Sequence, residues 1–212
     1  MAPTSSRRTY DTSGRRAAAE RNRDAVLRAC HDLVLRDGYR ATTIRAVAER
    51  AGVSIETIYK SFGGKQQLMK AVYDATLAGD SEPVPIGRRA EVRAAFEASG
   101  PQDKVVLYAR FVTGLMERLS GLIAVLTEAD PDIARIRATT EEERLIGVRA
   151  FVDHLAKEGH LRAGTAAEQA ADACWVLTSP QLFAQLTLAR GWDADGYRHW
   201  LTEMLAATLL EP

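Results

Sequence analysis

Reactive and metal-binding side chains are scarce in this chain: two cysteines, Cys30 and Cys174, and four histidines among 212 residues. The cysteines stand far apart, each inside an apolar helical pattern, so they form no disulfide framework and a reduced cytosolic protein is expected. Core packing is the reading for both, ahead of redox sensing. His31, His154, His160 and His199 are scattered, with no metal-ligand spacing such as H-E-x-x-H. A G-x-S-x-G nucleophile elbow and a spaced-glycine dinucleotide loop are missing as well, which argues against an enzyme, a metal centre or a cofactor. No run approaches the ~18 consecutive apolar residues of a membrane span. The first residues lack the apolar core of a signal peptide, so a cytoplasmic location is expected, with no membrane partner.

Net charge is also absent: 28 basic and 28 acidic residues cancel. The distribution is uneven. Residues 1 to 79 hold 14 Lys and Arg against 8 Asp and Glu, and residues 80 to 212 hold 14 against 20. A basic amino-terminal third joined to an acidic remainder suits one module that faces phosphates and another that does not. With 46% apolar residues there is ample material for a core.

The informative stretch is 42–65, TTIRAVAERAGVSIETIYKSFGGK. Ile44, Val47, Ala48 and Ala51 share one face of a short helix, and Thr42 or Thr43 can cap its start. Gly52 ends it, Val53 turns inward, and Ser54 is placed to cap a second helix reaching about Phe62. Two helices joined by a short turn containing glycine make a helix-turn-helix. With Val53, Ile58 and Phe62 inward, the open face carries Ser54, Ile55, Glu56, Thr57, Tyr59, Lys60 and Ser61. These are mostly hydrogen-bonding side chains of short or medium reach, as a helix lying in a major groove needs. The Gly63-Gly64-Lys65 run lacks the spacing of a phosphate loop; the helix start and Lys65 could together hold one DNA phosphate.

The pattern of Thr43, Arg45, Ala48, Ala51-Gly52-Val53-Ser54, Thr57-Ile58-Tyr59, Phe62 and Lys65 resembles the DNA-binding domain of the TetR family of transcriptional repressors. The resemblance implies that Thr43, Arg45, Tyr59 and Lys65 hold phosphates while Ile55, Glu56, Thr57 and Lys60 lie closest to base edges. Glu56 departs from the small or basic residues common there. It either accepts from a cytosine amino group or pairs with a neighbouring arginine.

Around this stretch the expected fold is all-α, about nine helices: a three-helix helix-turn-helix domain followed by a larger helical bundle. Residues 1–21 read as a flexible basic arm, whose Arg7, Arg8, Arg15 and Arg16 either attract DNA or merely solubilise. The DNA-binding domain spans 22–79, beginning with an amphipathic helix of Val26, Leu27, Cys30, Leu33 and Val34 that Gly38 stops. Two prolines and a glycine mark a linker at 80–87. Residues 88–212 form the ligand-binding and dimerisation domain. Its broad stripe from Val105 to Leu126 includes Tyr108, Phe111 and Leu115. The resemblance makes Tyr108, Phe111, Leu115, Phe151 and Trp175 candidate walls for a small-molecule effector, although each also reads as ordinary core.

Two aromatic-rich helices close the chain, one of them interrupted at Pro180. They offer more apolar surface than one core needs, which suggests a dimer built from four helices. In the resembling family this pair forms the homodimer interface, which points to Leu182, Phe183, Leu186, Tyr197, Trp200, Leu201, Met204 and Leu205. The expected protein is a homodimeric repressor that binds a palindromic operator in double-stranded DNA and is released by an effector. The competing reading is a helical protein-interaction module.

Overall fold

The computed structural model describes residues 12–80, 82 and 84–211. Its described residues form ten α-helical segments and no strand. Helix α1 (Thr12–Ala41) buries Val26, Leu27, Cys30, Leu33 and Val34 on one side. It begins about three turns earlier than the sequence pattern suggests. Residues 12–21, expected to be a flexible arm, are therefore helical, with Arg16 and Glu20 paired at 3.0 Å one turn apart. Arg7, Arg8 and the Arg15 side chain lie outside the described residues. Gly38, at φ 82°, interrupts the helical path, and Tyr39 behind it turns fully into the core.

Three shorter helices follow: α2 (Ile44–Ala51), α3 (Ile55–Phe62) and α4 (Lys65–Ala78). The inner face of α4, with Leu68, Met69, Val72 and Tyr73, packs on α1 and also reaches two later helices, α6 (Pro101–Ile123) and α7 (Pro131–Lys157). Between these lie a 3-10 turn (Ile86–Arg88) and α5 (Ala90–Glu97), which packs on α6. Asp80 and Arg89 meet in two hydrogen bonds of 2.7 and 2.8 Å across this connection.

Helix α6 is the central rod, in contact with α4, α5, α9 (Pro180–Ala184) and α10 (Ala194–Leu209). Its broad stripe explains this: Val105, Tyr108, Val112, Leu115, Leu119 and Leu122 are all buried. At Gly121 a side chain would press on Leu35 of α1, 3.3 Å from the missing Cβ, so glycine permits this close approach. Helix α8 (Ala167–Leu177) packs on α7 and α10. It and α9 are the two halves of the helix expected to break at Pro180; taken as one, they give the nine rods anticipated. Pro180 opens α9, where its missing N–H costs nothing, and Ser179 caps the new start through Leu182 N–H.

Burial in the closing helices corrects the expected interface. Phe183 is almost covered, and Tyr197, Leu201 and Leu205 are wholly covered, by their own chain. These four are core residues and cannot meet a partner. Leu182, Leu186, Trp200 and Met204 are half-exposed and keep a face available. Both cysteines are buried, and burial pushes each thiol up to about 12, so neither is a ready nucleophile. Among the described residues no helix is long and apolar enough to cross a membrane, and no acidic, histidine or cysteine group could hold a metal.

Candidate functional site

The helix-turn-helix is fixed by local bonds. Thr43, not Thr42, caps α2, its hydroxyl accepting from Ala46 N–H at 3.1 Å; Thr42 is buried and donates to the Gly38 carbonyl. Gly52 takes the left-handed conformation (φ 69°) that ends α2, and Val53 N–H returns to the Ala48 carbonyl. Ser54 then caps α3 by accepting from Thr57 N–H at 3.2 Å. Ile58, completely buried, locks α3 onto the supporting helices. Arg50 of α2 bonds Asp32 of α1 at 2.8 Å, and that contact holds the Asp32 carboxyl below its usual range.

This framework leaves Glu56, Tyr59, Lys60 and Ser61 exposed on α3, with Arg45 exposed on α2 and Thr43 and Ser54 exposed at the two helix starts. Tyr59 is 53% exposed, a large value for an aromatic side chain. Ile55 and Thr57 depart from the fully open placement expected of them. Both are half-buried, Ile55 because its side chain packs against the core and Thr57 because its hydroxyl lies 3.0 Å from Ser54. Lys65 is half-buried as well: its ammonium sits 4.1 Å over the Tyr39 ring and donates to the Arg40 carbonyl at 3.3 Å. Among the described residues Glu56 pairs with no arginine. Its own backbone N–H, followed by the Ser54 hydroxyl, lowers its pKa, so the carboxylate folds back over the α3 start.

Three of the candidate effector residues, Tyr108, Phe111 and Phe151, form one aromatic group. Tyr108 stacks on Phe151 with centroids 3.8 Å apart and planes within 4°, and Phe111 lies 6.2 Å from Tyr108. Phe151, Tyr108 and Leu115 are buried, whereas Phe111 and Trp175 are half-buried. A surface cleft of about 430 Å³ opens elsewhere, lined by Leu27, His31, Val72, Thr76 and Arg118 of α1, α4 and α6.

Two charged residues in this half escaped the sequence reading. Lys104 is 2% exposed, its ammonium shared among the Phe96 carbonyl (2.5 Å), His154 Nε2 (3.0 Å) and Glu158 (3.0 Å). That contact lowers the Glu158 pKa. Arg144 binds Glu141 and the α8 end, with its guanidinium 4.5 Å over the Trp175 ring. Helical spacing held the signal for both. Lys104 shares a stripe with Tyr108 and Leu115, and Arg144 shares one with Thr140, Val148 and Phe151, so each is a charge on an apolar face.

Residues 26–72 match the family described as bacterial regulatory proteins, tetR family. Over 47 residues the chain is 45% identical to the HTH-type transcriptional regulator YvkB of Bacillus subtilis (strain 168), covering 22% of this chain and 25% of that one. The alignment thus spans about a quarter of that relative. In fold, the chain is similar to NalD of Pseudomonas aeruginosa, the secondary repressor of the MexAB-OprM multidrug efflux pump. The TM-score is 0.72 at 19% identity, covering 92% of this chain and 98% of NalD. It is also similar to FadR of Bacillus subtilis in complex with stearoyl-CoA, with TM-score 0.67 at 13% identity over 87% of this chain and 98% of FadR.

Proposed function

We propose that this chain, whose residues 26–72 match the tetR family of bacterial regulatory proteins and whose fold is similar to that of NalD, is a sequence-specific DNA-binding transcriptional regulator that acts as a homodimeric repressor. The observation that carries this reading is the α3 surface. Behind it Ile58 is wholly buried, and on it Glu56, Tyr59, Lys60 and Ser61 stand exposed. A two-turn helix capped at its start and pinned from behind is a rigid support for side chains aimed at a groove.

Thr43, Arg45, Tyr59 and Lys65 serve as phosphate contacts, and Glu56 and Lys60 lie nearest the base edges, flanked by Ser54, Ser61 and the half-buried Ile55 and Thr57. Lys65 must leave the Arg40 carbonyl to reach a phosphate. Two α3 helices held about 34–36 Å apart by the dimer read a palindromic operator in successive major grooves. Occupying a promoter there represses transcription. The half-exposed Leu182, Leu186, Trp200 and Met204 supply the dimer contact.

Release comes from a small molecule in the second half of the chain, a reading supported by FadR with its acyl-CoA. Helix α4 is the lever, because it bonds both regulatory rods: Lys70 to Glu143 of α7 at 3.0 Å, and the Leu77 carbonyl to Arg118 of α6 at 3.0 Å. An effector acts only through different affinities for the two arrangements of these rods.

Selection of bound sequences from random duplex DNA by the purified protein tests the reading, with the enriched sequence then titrated at several salt concentrations. A palindromic motif whose affinity falls steeply with salt is the expected result. No enriched motif, before and after refolding to strip any bound ligand, would instead leave a helical interaction protein.

A further inference from the structure

Arg144 is a partly buried cation, two of whose N–H groups share a single carboxylate oxygen. Its side chain is 15% exposed, held between α7 and α8. Nε and Nη2 both donate to one oxygen, Glu141 Oε2, at 3.0 and 2.6 Å. Nη1 donates to the Trp175 carbonyl at 2.6 Å and to Thr178 Oγ1 at 3.3 Å. A guanidinium offers two parallel N–H groups, and a carboxylate that presents both oxygens satisfies them better than one shared oxygen. Glu141 is three residues back on the same helix and brings only Oε2.

A second observation lies beneath the same guanidinium. Trp175 Nε1 is buried without a hydrogen-bond partner, a donor whose desolvation nothing in the chain offsets. Arg144, two of whose N–H groups share one carboxylate oxygen, and Trp175, with an unsatisfied donor, thus lie together. Tyr108, Cys174 and Tyr197 lie near enough to feel the charge of Arg144, and Tyr108 is stacked on Phe151.

We propose that Arg144 anchors the carboxylate of an anionic effector with an aromatic or aliphatic body, which binds by displacing Glu141 from the guanidinium. This inference rests on the reading of the chain as a ligand-responsive regulator. Exchange keeps the buried cation paired throughout, avoiding the heavy cost of a lone buried charge. It also gives the signal a route. Thr140 and Glu141 adjoin Tyr73 of α4, whose hydroxyl is pushed up to about 12 by burial and, next, by the Glu141 charge. Glu143, two residues further along α7, holds Lys70 of α4. A Glu141 released from Arg144 therefore changes the charge facing α4.

The test measures binding of benzoate, 2-naphthoate and decanoate, and of their three primary amides, by calorimetry on the full-length protein without DNA. The expected result is that at least one acid binds, with its amide weaker by about tenfold or more, the usual worth of a charge-assisted pair. Arg144→Gln loses that binding. Glu141→Gln removes the internal competitor and tightens it several-fold, a gain that a purely structural Arg144–Glu141 pair does not predict. Acids and amides binding alike, no acid binding, or no tightening in Glu141→Gln would overturn the proposal, the last even if Arg144→Gln fails to fold. An operator selected without any acid binding defeats this inference alone, whereas acid binding by a chain that selects no DNA defeats the regulator reading and leaves the site standing.

Discussion

The Tyr39 hydroxyl donates to Asp132 Oδ2 at 2.8 Å, joining the end of α1 to the first turn of α7 across 93 positions of sequence. The Tyr39 backbone N–H adds a bond to Glu128 at 2.9 Å. Burial, then the bond to Asp132, raises the tyrosine pKa, so the hydroxyl remains a donor at any ordinary pH. Tyr39→Phe keeps the ring and deletes the bond. It is expected to lower stability by about 1 kcal/mol, read from urea unfolding midpoints. An unchanged midpoint would show that the bond adds nothing to holding the two halves together.

On the proposed DNA face, hydrogen bonding by its own N–H, then by the Ser54 hydroxyl, lowers the Glu56 pKa. Its carboxylate remains a negative charge among groups proposed to meet phosphates. Glu56→Ala should relax preference at one operator position while binding persists; Lys60→Ala should weaken binding and lower the salt slope by about one if its contact is a phosphate, or relax one position if it is a base. A binding-site library scored for both variants decides, and unchanged preference with Glu56→Ala removes it from base recognition.

Asp80 carries the clearest pH dependence. Hydrogen bonds from Arg89, then from Glu82 N–H, lower its pKa to about 2. The unfolded carboxyl titrates near ~3.9, so the folded value is the lower one. The contribution is therefore complete above about pH 4 and disappears as pH falls through about 2. Asp80→Asn should be less stable than the parent at neutral pH, and the gap should close over that acid window. Unfolding midpoints measured from neutral pH down to the acid limit test it; a gap that does not depend on pH contradicts it.

The proposed dimerisation separates residues on a single helix. Met204 is half-exposed and Leu205, beside it, is covered. Met204→Arg should yield a folded monomer in sedimentation, with weaker operator binding. Leu205→Ala should instead destabilise the fold by about 2–5 kcal/mol, through the cavity it leaves. A dimeric Met204→Arg protein would place the interface elsewhere.

Sequence alone determined the helix-turn-helix, because the bonds that make it are local. Ser54 caps α3 through an N–H three residues on, Gly52 supplies a left-handed turn, and Ile44, Val47, Ala48 and Ala51 repeat at helical spacing, all within 24 consecutive residues. It also determined the order of helices and the break at Pro180. Periodicity states which face of a helix is apolar; it does not state what covers that face. Only the tertiary structure decided that Tyr197, Leu201 and Leu205 are sealed by their own chain while Trp200 and Met204 are not. It alone brought Tyr39 to Asp132, and set Arg144 over Trp175 from 31 residues away. Those contacts depend on how the rods cross, and the crossing is a property of the assembled core rather than of any one segment.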